Sequence, residues 1–132
     1  MRIYCHYESI KHQAHEILQS IKRSKIQAGI ALNPQTSVDS VKHLLPDCDA
    51  VLIMSVQPGY SGQKFIPETV EKVRALRALS EKVVITIDGG VNETNGRDLV
   101  KAGADILSMN NYLYKGDPVQ QKDELLKLIY PK

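Results

Sequence analysis

Gln57-Pro-Gly-Tyr-Ser-Gly-Gln63 and Asp88-Gly89-Gly90 are the stretches whose residue types and spacing could do chemistry. A carboxylate closing a buried β-branched run can ligate a divalent metal or transfer a proton. The paired glycines behind it can offer N–H groups to a phosphate near the next helix start. In the first stretch, two glycines let backbone N–H groups approach an anion and let the loop move as a lid. Each has a plainer reading too: a turn into the next helix for the loop, an N-cap or turn residue for Asp88. There is no Walker lysine–serine pair and no GxGxxG, so a nucleotide site is unsupported. Met109-Asn110-Asn111 either adds polar contacts or forms a turn. His6 and Glu8 leave the first predicted strand on one face, as a catalytic pair or as a partly buried strand-end histidine beside a carboxylate. His12, His15 and His43 read as helix-surface residues. Asp105, at the start of a strand, reads as structural.

Those residues need elements to position them, and the chain reads as a repeating strand–helix pair. Ile3–Tyr7 predicts a short strand, and Ile10, Ala14, Ile17, Leu18 and Ile21 fall on one helical face. Ala28–Leu32 is an apolar run closed by the Asn33-Pro34 turn. Ser37 can cap a helix whose apolar face is Val38, Val41, Leu44 and Leu45. Ala50–Val56 reads as a strand covered on both faces. Pro67 suits a first helical turn, with Val70, Val73, Leu76 and Leu79 as the buried stripe. Val83–Ile87 is a β-branched strand ending at Asp88. Asn92 or Thr94 then starts a helix that Gly103 stops. Ala104–Met109 predicts a last strand, and Val119–Ile129 a last amphipathic helix. Such alternation argues for a parallel sheet with helices packed outside. A doubly wound open sheet can stop at five strands, whereas a complete (β/α)₈ barrel takes about 250 residues.

The 132 residues suffice for one domain with a real core, and 42% hydrophobic with 24% charged residues is ordinary for a globular protein. The formal charge is +2, with basic residues spread out except at Lys22-Arg23-Ser24-Lys25. That cluster reads as a solvated helix end suited to the macrodipole, and it makes a poor nucleic-acid footprint. Cys5 reads as a small core residue and Cys48 as a loop residue, with no metal spacing between them. The first residues hold no long apolar segment, so neither a signal peptide nor a membrane span is expected, and a cytoplasmic protein is the default.

With Asn33-Pro34, Met54-Ser-Val-Gln-Pro-Gly-Tyr-Ser-Gly-Gln-Lys-Phe-Ile-Pro67, Ile87-Asp-Gly-Gly-Val91 and Ala102-Gly-Ala-Asp105 in place, the chain strongly resembles the ribulose-phosphate 3-epimerase family. The resemblance runs collinearly from about Ile3 to the last helix. It implies a partial TIM (β/α)₈ barrel of about five βα units. The implied reaction interconverts ribulose 5-phosphate and xylulose 5-phosphate. It also implies a divalent metal, zinc, iron or manganese, held by two histidines and two aspartates. A proton leaves the carbon beside the ketone to give an enediolate, and a second acid returns it on the opposite face.

By position, Asp88 matches the aspartate that binds metal and acts as one acid/base. Gly59, Tyr60, Ser61 and Gly62 match the lid; Gly89, Gly90, Asn110 and Asn111 match the phosphate-binding backbone. Ser61 stands where a glycine is usual, and Asn110-Asn111 where a glycine–serine pair is usual.

In this alignment the chain starts at the family's fourth strand, and both metal histidines and the other aspartate belong to the first three. The whole chain, 1–132, is therefore expected to be the C-terminal portion of such a barrel, without turnover by itself. A non-catalytic phosphate-binding remnant, an associating half-barrel and a related ketohexose phosphate substrate stand as alternatives. Exposed sheet edges predict self-association or association with a longer homologue.

Overall fold

A computed structural model describes residues 1–60 and 62–130 of the chain. Its five strands are β1 (Arg2–His6), β2 (Gln27–Leu32), β3 (Ala50–Met54), β4 (Val84–Asp88) and β5 (Ile106–Ser108). They are parallel and lie side by side in sequence order. A doubly wound sheet reverses its strand order at a switch point. No reversal occurs here, so the chain winds one way only, as a barrel does.

Alternate residues of a strand face opposite sides, and the two sides of this sheet differ in kind. Ala28, Ile30, Leu32, Val51, Ile53, Ile85 and Ile87 face the helices and are buried. They form one core with Leu18 of α2 (Ala14–Arg23), Val73 and Leu76 of α3 (Thr69–Leu79) and Leu99 of α4 (Glu93–Ala102). Each large apolar side chain so covered stabilises the fold by about 1.5–3 kcal/mol.

The concave side carries Tyr4, Leu52, Met54, Thr86, Asp88 and Ser108. The Tyr4 hydroxyl lies 3.0 Å from Thr86 Oγ1, linking β1 to β4. In a flat sheet those strands would be about 14 Å apart, beyond the reach of two side chains standing perpendicular to it. The sheet is therefore strongly curved, and this bond is a chord across the arc. Gly29 makes room for it, since a Cβ there would lie 2.6 Å from the Tyr4 ring. The architecture is an α/β partial TIM barrel.

Several local expectations are corrected. The helix expected through Ile10 and Ile21 is broken into α1 (Tyr7–Ile10), a 3₁₀ turn at Lys11–Gln13, and α2. Ile10, at φ −120° and ψ 3°, leaves the helical region between α1 and that turn. The segment after Ser37 is two 3₁₀ turns, Val38–Ser40 and Lys42–Asp47, rather than an α-helix. Val41 sits between them at φ −116°, and Pro46 lacks the N–H that an α-helix would use. Ser37 still caps the first turn, accepting from the Ser40 amide at 3.3 Å.

Pro67 precedes α3 instead of lying inside it, and β5 is shorter than expected. Cys5 is half-buried and Cys48 buried, the reverse of the expected emphasis. Asn92 caps α4 with a reciprocal Asn95 bond, and Gly103 ends it at φ 113°. The last helix is α5 (Pro118–Ile129). No described helix is long and apolar enough to cross a membrane.

Candidate functional site

Ser55, the residue after β3, organises the carboxyl-end rim. It is fully buried; its amide donates to the Asp88 carbonyl at 2.9 Å and its hydroxyl to the Gly89 carbonyl at 2.5 Å. Its own carbonyl accepts from the Ile66 amide at 2.8 Å, where the loop after β3 returns to the body of the fold. One residue thus fixes the end of β4 and the return of the loop together.

The diglycine is required by the same packing. Gly89 has φ 120°, and a Cβ there would lie 2.5 Å from Val56. Gly90 has φ 62°, and its Cβ would meet the Phe65 backbone nitrogen at 2.8 Å. Positive φ and close backbone approach both call for glycine. Beyond, Asn95 Nδ2 donates to the Gly90 carbonyl at 3.0 Å, tying the turn to the first turn of α4.

The loop after β3 is folded on itself by Gln63, whose Nε2 donates to the Gln57 carbonyl at 2.5 Å and the Tyr60 carbonyl at 3.1 Å. Tyr60 stands at its tip, 74% exposed.

These loops enclose a cavity of about 350 Å³. Asp88, Gly59, Tyr60, Gly62, Gly89, Gly90, Asn110 and Asn111 all line it. Ser61 lies outside the described residues. Ser55, Val56 and Gln63 lie within the motifs quoted from the sequence but are not among the expected site residues; their partners, apart from Gln57 and Tyr60, are distant in the chain.

Among the described lining residues Asp88 is the single acidic side chain and no side chain is basic. Asp88 is half-buried and takes part in no ion pair among the described residues. Gln57, Gln63, Ser108, Asn110 and Asn111 surround it with amide and hydroxyl groups. The arrangement can hold a polyhydroxylated ligand and move one proton.

It does not fit the expected divalent metal. Among the described residues no three His, Cys, Asp or Glu side chains converge on a point.

His6 and Glu8 lie apart from this cavity. His6 is exposed rather than partly buried, with Nδ1 3.6 Å from Glu8 Oε2. Glu8 Oε1 accepts from the Asn33 amide at 2.8 Å and from the Thr36 hydroxyl. Burial of Glu8 opposes its charged form, but those hydrogen bonds, with His6, hold the carboxyl below its ordinary value. Lys72 of α3 donates to the Asn33 and Pro34 carbonyls at 3.1 and 2.6 Å. The group thus braces the β2 turn. His12 and His43 are exposed, as is His15, which bonds Asp47 at 2.6 Å.

An arc of parallel barrel with an acid and glycine loops at its carboxyl-end rim defines the class: a partial TIM-barrel fold. Two solved structures share it. They are a 3-hexulose-6-phosphate synthase (TM-score 0.71, 14% identity, 97% of this chain and 61% of that one) and the YdjI aldolase from Escherichia coli K12 (TM-score 0.61, 14% identity, 97% and 56%). Sequence narrows the class further. The profile of the Ribulose-phosphate 3 epimerase family matches residues 1–114. A ribulose-phosphate 3-epimerase of Chlamydia muridarum is 41% identical over 96% of this chain and 58% of its own length. One from Aquifex aeolicus is 36% identical over 95% and 58%. The chain belongs to the ribulose-phosphate 3-epimerase family, and it spans about 58% of the length of these curated relatives.

Proposed function

We propose that this chain provides one side of a site that interconverts ribulose 5-phosphate and xylulose 5-phosphate. Asp88 exchanges the proton on one face of the carbon beside the ketone. The lid residues Gly59, Tyr60, Ser61 and Gly62 cover the sugar; Gly89, Gly90, Asn110 and Asn111 hold the phosphate end through amide donors. The observation that carries this reading is the convergence of these described residues with Asp88 on one cavity.

Inversion needs a second acid on the opposite face. None lines the cavity among the described residues, so the chain by itself binds the sugar phosphate without turning it over. The retained ligand shell without a second acid also favours the plainer reading of a phosphate-binding module. Turnover requires a second acid from strands outside these 132 residues, and the sheet edges at β1 and β5 are where they would add. Ile106 of β5 is 43% exposed, and Leu126 and Leu128 of α5 are 46% and 50% exposed. Such a surface drives self-association or pairing with a longer homologue, in the cytoplasm.

The test is a coupled epimerase assay, with light scattering, on the chain alone and on the chain co-expressed with the first three strands of the Chlamydia muridarum relative. The expected result is no turnover alone with added zinc, iron or manganese. Co-expression should give activity that Asp88→Asn lowers about a thousandfold. Asp88-dependent turnover by the isolated chain would overturn the reading, as would activity in the complex that Asp88→Asn leaves intact.

A further inference from the structure

A second cleft, of about 610 Å³, opens at the rim opposite Asp88, and it shares no residue with the cavity described above. Three lysines reach it from separate parts of the chain. Lys22 comes from the end of α2, Lys42 from the start of the second 3₁₀ turn, and Lys82 from the connection before β4. Lys22 belongs to the basic cluster that reads from sequence as a solvated helix end; the fold sets it beside two cations that are distant in the chain.

Counter-charge there is small. Among the described residues Asp49 is the single acidic one lining the cleft. One of its oxygens accepts from the Ala28 amide at 2.8 Å, and the other lies 3.8 Å from Lys22. Lys42 and Lys82 form no ion pair among the described residues. Arg2 adds a further cation nearby, donating to Gln27 of the cleft wall at 3.1 Å. The whole chain carries only +2, so this concentration does not follow from a general excess of basic residues.

Leu45, Pro46, Cys48 and Val84 line the apolar part of the cleft. Burial, with Asp47 beside it, pushes the Cys48 thiol up to about 12. No thiolate therefore opposes an anion at neutral pH.

Three lysines lining one cleft carry an excess of positive charge that a multivalent anion offsets. An ammonium binds phosphoryl oxygens as a point charge and needs no fork geometry. Groups spread over a cleft of ordinary ligand size match linked phosphoryl groups better than a single one. We propose that this cleft binds an anion with a chain of two or more phosphoryl groups, at a site independent of Asp88.

The test is calorimetric titration of the full chain with tripolyphosphate, inorganic phosphate and adenosine triphosphate. Tripolyphosphate should bind, more weakly at high salt, and more tightly than inorganic phosphate. Lys42→Gln/Lys82→Gln should weaken it roughly tenfold, the size of two screened cation–phosphate pairs, with an unchanged circular dichroism spectrum. Lys101→Gln/Lys127→Gln changes the net charge equally and should leave binding as it was, as should Asp88→Asn. Adenosine triphosphate binding more tightly than tripolyphosphate would place the base on the apolar wall; equal binding would assign recognition to the phosphate chain. Equal weakening by both lysine pairs would mean diffuse attraction and overturn the proposal. So would inorganic phosphate binding as tightly as tripolyphosphate, or no binding at all.

Discussion

At the amino-end rim, Asp49 and Asp105 each stand one residue before a strand and grip the strand before it. The Asp49 amide donates to the Ala28 carbonyl at 2.8 Å, while Ala28 donates its own amide to the Asp49 carboxylate at 2.8 Å. Asp105 repeats the clasp on Ile85, at 2.9 Å and 2.7 Å, and adds Arg77 at 2.7 Å. At the carboxyl-end rim, Asp88 ends β4 with no ion-pair partner among the described residues. Side chains of one type therefore have opposite duties at opposite ends of one arc. Carboxylates clasped by backbone amides hold strand register; the one without a charged partner among the described residues is the one proposed above to serve a ligand.

The comparison is broken most directly at Asp105. Asp105→Ala leaves the Ile85 amide without its carboxylate partner and removes one acceptor from Arg77, which keeps the Gly103 and Val83 carbonyls. Loss of charge-assisted bonds of this kind costs about 2–3 kcal/mol. Urea unfolding should show that loss, and a cost below about 0.5 kcal/mol would mean the clasp does not hold the rim.

Gly90→Ala probes the other rim. A side chain at φ 62°, pressed on the Phe65 backbone, combines left-handed strain with a close contact. The expected cost is about 1–2 kcal/mol. If instead Gly90→Ala leaves stability unchanged while weakening phosphate binding, the glycine serves the ligand and not the packing of the loop.

Much of this contrast was legible in the sequence. The position of Asp105 at a strand start marked it as structural, and the Arg77 and Ile85 bonds agree. Asp88, at the end of a β-branched run, lines the cavity as its place implied. Helix ends with strong local chemistry, such as Asn92 and Gly103, were legible for the same reason.

What sequence did not reveal depends on partners distant in the chain. The Tyr4–Thr86 chord spans 82 residues, and Ser55 reaches 34 residues on to Gly89. The lysine cleft joins residues from two helical elements and a connection. The segment after Ser37 kept its buried apolar face but not its helical form, because burial of Val38, Val41, Leu44 and Leu45 is compatible with 3₁₀ turns as well.

Asp88→Asn should have the smallest effect on the isolated chain, and its smallness is the informative part. The substitution keeps the shape of the side chain and removes a charge that has no ion-pair partner among the described residues. Unfolding free energy should therefore change by less than about 0.5 kcal/mol. A loss comparable with that of Asp105→Ala would make Asp88 another clasp, with its hydrogen-bonding capacity committed to the fold. A small gain in stability would sharpen the contrast, because relief on removing a charge is the mark of a group held for a ligand at some expense to the fold.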